Sequence, residues 1–297
     1  MHKFLRTIGF SNLQTDADAD SFLFREVISE KNRTGKYLLE GSCILEEYRV
    51  KCADRVGICA ITERYPSDRL QLVSYFPYLY SQELSSNEIC SIERHTATET
   101  YSGYIDDYRA GISLIFFLSN SLDFLKLSGG GRMLDFRGCY LSAFSAAGSV
   151  LLPILKQEET EAEQKLSRER EQLSEAARNG DEHAIELLTE QDMDTYSEIM
   201  KRAEDEDIYS IVSSSCIPSG VECDLYSVLG EIKSVSETEN LFTKEKLYQL
   251  ELDCNNVIFP LIISASCLTG VPEPGRRFKG KIWLQGRVDF EKPVIEP

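Results

Sequence analysis

The sequence predicts an α+β fold in three parts: a β-rich N-terminal module with helices over residues 1–155, an acidic helical segment over 156–208, and a C-terminal antiparallel sheet or small barrel over 209–297. Short apolar runs separated by turn residues, which are typical of strands, occupy both ends of the chain. The middle is rich in Glu, Gln, Ala, Arg and Leu, which favour helices. The last strand-like run alternates between apolar and polar residues, as a strand with two different faces does.

The N-terminal module contains several runs that favour strands. They are Tyr37–Cys43, Val56–Thr62, Leu70–Tyr75, Gly111–Leu118 and Tyr140–Leu152. A glycine-rich segment, Ser128–Arg132, interrupts them and could in principle surround a phosphate. Such a loop needs a helix directly after it, and the residues that follow favour a strand, so we interpret the segment as a turn.

The helical segment holds most of the negative charge of the chain. From Lys156 to Asp207 there are 18 acidic and 7 basic residues, a net charge of −11 out of −17 for the whole chain. Asn179 and Gly180 are typical of a helix stop, and Asp181 can cap the helix that follows. Ile185 and Leu188 give that helix an apolar edge, and Tyr196, Ile199, Met200 and Ala203 recur with a period of 3.6, which predicts a further helix up to about Ala203.

The C-terminal module contains four runs that favour antiparallel strands: Gly220–Val235, Lys246–Cys254, Val257–Ser264 and Phe278–Phe290. In the last run the even positions are apolar, whereas the odd positions carry cations and the only Trp of the chain. We expect one face of this strand in the core and the other at the surface. The residues predicted to bind a ligand or partner there are Arg276, Arg277, Lys279, Lys281, Trp283, Gln285 and Arg287.

Three classes of function follow from these residues. The first is a non-catalytic protein that works through contacts with a protein partner, or through a contact between this basic strand and the acidic segment of the same chain. The second is binding of a nucleic acid or an anionic small ligand at the basic strand, although a pI near 4.7 opposes attraction of phosphates at long range. The third is an enzyme with carboxylate chemistry near Glu222 and Asp224. The sequence shows no catalytic signature that favours this class.

Cysteine and histidine usage argues against a metal or a disulfide framework. The nine cysteines include no C-x-x-C pair, and their number is odd. The three histidines are not spaced as metal ligands. We therefore expect no metal and no cofactor, and reduced cysteines. No apolar run is long enough to cross a bilayer and the N-terminus does not resemble a signal peptide, so we expect a cytoplasmic protein without membrane association.

Several segments carry a resemblance that runs almost end to end. They are Met1–Ser11, Gly103–Phe117, the Ala-Arg-Asn-Gly-Asp-Glu stretch over 177–182, Cys223–Ile232 and Gly275–Gly286. In these segments the chain resembles an uncharacterised domain-of-unknown-function family of anaerobic Firmicutes. The resemblance implies an intracellular bacterial protein of this length. It implies no activity, cofactor or catalytic residue.

Overall fold

A computed structural model describes residues 3–39, 42–94, 100–129, 134–153, 169–170, 172–174, 176–177, 180–202 and 207–290. Its contacts divide the chain into two compact units. One comprises residues 1–151 together with 215–297, and the other comprises residues 152–214. The predicted α+β class is confirmed, because the first unit consists mainly of strands and the second of helices.

The first unit begins with short helical turns and one small antiparallel sheet. Thr15 caps the helix α1 (Asp16–Phe22) by accepting a hydrogen bond from the Asp18 backbone, and Asp18 accepts from the Thr15 backbone in return. The small sheet has the order β1-β2-β3-β4 and is antiparallel throughout. Its strands are Arg33–Leu38 (β1), Ile44–Ala53 (β2), Val56–Arg64 (β3) and Leu70–Leu79 (β4).

The larger sheet takes strands from both ends of the chain. Those before the helical unit are Cys90–Arg94 (β5), Tyr101–Ile105 (β6), Leu114–Leu118 (β7) and Phe136–Leu151 (β8), and the helix α2 (Ser121–Ser128) lies between β7 and β8. Those after it are Ser215–Pro218 (β9), Leu225–Glu239 (β10), Lys246–Cys254 (β11), Val257–Ser264 (β12), Leu268–Thr269 (β13) and Arg277–Phe290 (β14). The main order is β13-β8-β12-β11-β10-β14-β7-β6-β5.

Five of these strands close into a barrel. The strands β12, β11, β10 and β14 follow one another in antiparallel pairs. The strand β8 pairs antiparallel with β14 and parallel with β12, and so completes the ring. The small barrel that the sequence offered as an alternative to an open sheet is therefore present, with its fifth strand supplied by the N-terminal part of the chain.

The barrel separates two apolar cores. Its interior is filled by alternate residues of the five strands, among them Leu141, Leu250, Leu261, Ile282 and Leu284. The second core lies on the outside of the barrel and is shared with the small sheet and the N-terminal turn. It includes Phe4, Leu5, Ile8, Phe144, Ile262 and Trp283 together with residues of β2, β3 and β4.

The division of the chain differs from the three parts expected from the sequence. Residues 1–155 and 209–297 were expected as separate modules, yet their strands share one sheet because β14 pairs with β7, β8 and β10. The helical unit occupies the connection between β8 and β9 along the chain. None of the helices in the described ranges combines the length and hydrophobicity needed to cross a lipid bilayer.

Residues 182–202 form one continuous helix, α3 (Glu182–Arg202), where the sequence favoured two shorter ones. The predicted cap is present, because the Asp181 carboxylate accepts hydrogen bonds from the backbone N–H groups of His183 and Ala184. Gly180 has a φ of 84°, in the left-handed region typical of a helix end. A short helix, α4 (Ile208–Ile211), follows, and the predicted end near Ala203 lies outside the described residues.

Candidate functional site

Trp283 lies in the core rather than on the predicted surface. Its side chain is 4% exposed and stacks on Phe4, with ring centroids 5.0 Å apart and planes 12° from parallel. The rings of Phe117 and Phe144 pack beside it at 5.3 and 5.5 Å. The expectation that this residue faces outward is wrong, because the second core covers the central part of the odd face of β14.

Gln285 is buried in the same way. It has no exposed surface, and its side-chain Nε2 donates a hydrogen bond of 2.7 Å to the Pro77 carbonyl of β4. Its Oε1 atom accepts no hydrogen bond within the described residues. Arg277, at the start of β14, is also buried, with 7% of its surface exposed. Gln285 therefore connects β14 to β4, and Arg277 is buried within the first unit.

The remaining predicted residues do not form one surface. Arg276 pairs with Glu273 at 2.8 Å and donates to the Val271 carbonyl, in the loop before β14. Lys279 is half-buried and Lys281 is exposed. Arg287 lies near the other end of the strand, where its guanidinium is 4.2 Å from the centroid of the Tyr140 ring.

The carboxylates of the predicted enzyme site have different partners. Glu222 forms an exposed ion pair with Lys3. Asp224 accepts a hydrogen bond of 2.7 Å from the indole N–H of Trp283. A pair of catalytic carboxylates works by sharing or exchanging protons at one substrate, and these two are instead engaged by a surface cation and a core ring. Within the described ranges, no group of three or more His, Cys, Asp and Glu residues is arranged to hold a metal ion.

A buried ionic cluster occupies the small sheet. The carboxylate of Glu46 is almost fully buried and accepts hydrogen bonds from Arg33, Arg64 and Tyr48. Burial alone would raise the pKa of Glu46, but the hydrogen bonds from Arg64 and Tyr48 and the charges of Arg64 and Arg33 together lower it. The lowered pKa favours the ionised carboxylate, which connects Arg33 of β1 and Arg64 of β3 to β2.

The structure brings together one group of charged residues that the sequence did not predict as a site. A cavity of about 290 Å³ lies between α2 and the end of β14. Its lining residues are Asn120, Asp123, Lys126, Leu127, Arg287, Val288, Asp289 and Phe290. Of these only Arg287 was predicted. For the cavity residues of α2 the available signal was their spacing. Asp123 lies three and four positions before Lys126 and Leu127, and residues three and four apart share a helix face.

The helix α3 carries two separate apolar faces. One contains Ala184, which is 3% exposed, with Leu187 and Leu188 half-buried beside it. The other contains four exposed residues, which we call the α3 stripe: Ile185, Met193, Tyr196 and Met200. Their exposed fractions are 47%, 66%, 65% and 51%. At 100° per residue these four lie within about 80° of arc, on the side away from Ala184.

A family model described as a domain of unknown function, E. rectale Gene description (DUF3881), matches residues 5–286 of the 297. The chain belongs to the DUF3881 family. The match confirms the resemblance seen in the sequence. The DUF3881 region includes Trp283, Asp224 and the whole of α3, and it ends one residue before Arg287. No curated protein and no solved structure matches the chain significantly.

Proposed function

We propose that the chain is a cytoplasmic bacterial protein that works by binding another protein, and that the α3 stripe is its contact surface. The observation that supports this proposal is the second apolar face of α3. A surface helix normally has one apolar face, which packs against its own domain. Here the face around Ala184 has that role, and the stripe is additional.

The exposed stripe has the composition of a binding surface. Met and Tyr are enriched in protein interfaces, and a row of large apolar side chains on one helix face is the usual anchor of a helix in a groove. Single exposed apolar residues are common on protein surfaces, whereas four in one line are not. The stripe therefore predicts a partner with an apolar groove.

The charge of α3 defines the chemistry of the partner. The helix contains six acidic and two basic residues, and the exposed acids Glu182, Glu186 and Glu190 lie within or beside the stripe. Asp192, also near the stripe, pairs with Arg170 at 2.5 Å. A groove bordered by Lys and Arg would complement this edge, whereas a second copy of the chain would place acid against acid. We therefore propose a basic protein partner.

The test uses a photo-reactive residue at one of two neighbouring positions of the full-length protein. Position 196 lies in the stripe, and position 195 is exposed on α3 outside it. After cross-linking in bacterial cells, the protein captured at position 196 is purified. Its binding is then measured with the unmodified chain, with Tyr196→Ala and with the control Thr195→Ala, at low and high salt.

We expect capture at position 196 and not at 195, and a partner with a basic groove. Tyr196→Ala should weaken binding about tenfold or more, Thr195→Ala should leave it unchanged, and salt should weaken it. Circular dichroism of both variants controls for loss of the helix. Equal capture at both positions, or equal binding of both variants, would contradict the proposal. A dimer of the chain that Tyr196→Ala dissociates would assign the stripe to self-association instead.

A further inference from the structure

The cavity between α2 and β14 is held in shape by hydrogen bonds. The Asn120 side chain donates to the Val288 carbonyl at 2.9 Å and accepts from the Val288 N–H at 3.1 Å. These two bonds attach the start of α2 to β14. The Phe290 ring is packed against Phe124 and Phe136, with centroids 5.9 Å away in both cases. The cavity walls are therefore fixed by the fold before any ligand binds.

Four charged side chains of both signs line this small space. They are Lys126 and Arg287 on the positive side, and Asp123 and Asp289 on the negative side. Within the described part of the chain, the ion pairs found include none of these four residues. The positive charge of Lys126 also acts on the Glu47 carboxylate, so Arg287, Asp123 and Asp289 are the charges that we assign to a ligand.

Arg287 is the best prepared of the four to bind a ligand. Its side chain is half-buried and its guanidinium stacks over Tyr140 at 4.2 Å. Stacking on an aromatic ring fixes the plane of a guanidinium and leaves its N–H edge directed outward. That edge matches a carboxylate, which accepts two parallel hydrogen bonds from it.

We propose that this cavity binds a small zwitterion, namely an α-amino acid with a small apolar side chain. The carboxylate pairs with Arg287, with Lys126 adding positive charge, and the ammonium group pairs with both Asp123 and Asp289. The apolar lining from Leu127 and Phe290 contacts the side chain. The volume of about 290 Å³ lies at the lower end of the range for ligand sites, which fits a molecule of this size.

The test compares L-valine with two molecules that each lack one of its charges. The full-length protein is titrated by calorimetry with L-valine, with 3-methylbutanoate, which lacks the ammonium group, and with 2-methylpropan-1-amine, which lacks the carboxylate. The same titrations are repeated with Arg287→Lys, which keeps the charge but loses the two-pronged geometry, and with Asp123→Asn. The control is Lys281→Gln, which removes an exposed cation from the same strand outside the cavity.

We expect valine to bind with a dissociation constant of about 1 mM or below, and each partial analogue to bind about tenfold more weakly or worse. Arg287→Lys and Asp123→Asn should each weaken valine binding about tenfold, and Lys281→Gln should not change it. The emission of the single Trp controls for the fold. No binding of valine at about 10 mM would overturn the proposal. If 3-methylbutanoate bound as tightly as valine, the cavity would be a simple anion site. If both cavity variants bound valine with unchanged affinity, the ligand would bind elsewhere. Either result would also overturn the proposal.

Discussion

Asp224 accepts a hydrogen bond of 2.7 Å from the indole N–H of Trp283. The sequence assigned these two residues to different hypotheses, one to carboxylate chemistry and the other to ligand binding. In the structure they are partners. The carboxylate satisfies the only polar atom of a ring that is otherwise surrounded by Phe4, Phe117 and Phe144.

Removing the acceptor should destabilise the first unit. We expect Asp224→Ala to lower the free energy of unfolding by about 1–3 kcal/mol, because the buried indole N–H loses its partner. Asp224→Asn should cost less, since its carbonyl oxygen can still accept. The control Glu222→Ala removes only an exposed ion pair and should change stability by no more than about 0.5 kcal/mol. Urea denaturation measures all three, and an Asp224→Ala protein as stable as the parent would contradict the structural role.

The fluorescence of the protein reports on Trp283 alone, because the chain has one Trp. The rings around it belong to the first unit, so we expect blue emission that acrylamide quenches weakly. Replacing residues 158–207 by a short neutral linker should leave the emission unchanged. A red shift after this replacement would show that the acidic segment covers the ring. That result is expected if the basic strand contacts the acidic segment of the same chain.

The Glu46 cluster should make the small sheet sensitive to acid. The folded protein holds the pKa of Glu46 below its usual value, so its contribution is present above the unfolded pKa and is lost as pH falls through the folded pKa. We expect Glu46→Gln to cost about 2–3 kcal/mol at neutral pH. The difference from the parent should shrink as pH falls below the usual glutamate range. A difference that stays constant down to pH values well below that range would exclude ionisation as its source.

Thiol reactivity should single out Cys223. All nine cysteines are free in the structure, and Cys223 is the exposed one. Burial raises the pKa of Cys52 and of Cys216 to about 12, which suppresses their thiolates. A chromogenic disulfide reagent should therefore label about one thiol per native chain quickly, and Cys223→Ser should remove that phase. Unfolding in denaturant should release all nine, and fewer than nine would indicate disulfides.

The alternation in β14 predicted its strand and the face that fills the barrel. Ile282, Leu284 and Val288 all lie in the barrel core, as a period of two requires. The position of Trp283 could not be read in this way. Its cover comes from Phe4, Phe117 and Phe144, which are remote in sequence, and alternation within one strand says nothing about what packs on its second face.

One signal for the second core was present in the sequence. The strand β12 (Val257–Ser264) is apolar at nearly every position, which is typical of a strand buried on both faces. In the structure Leu261 points into the barrel while Ile262 lies in the second core beside Phe144. The cavity at α2 offered a weaker signal. Its charged residues are of types common on any protein surface, and only the folded structure shows that they lie close together.

The pairing of β14 with three other strands has a consequence for the order in which the larger sheet can form. During synthesis, β7, β8 and β10 leave the ribosome before β14 does. Until β14 emerges, these three strands lack the strand with which each of them pairs. Their free edges are templates for pairing with other nascent chains. The helical unit lies between β8 and β9 in the sequence, so its synthesis further delays the pairing of β8 with β14. Barrel closure therefore waits until β14 has emerged, and shielding of the unfinished sheet by a chaperone would matter most before that point.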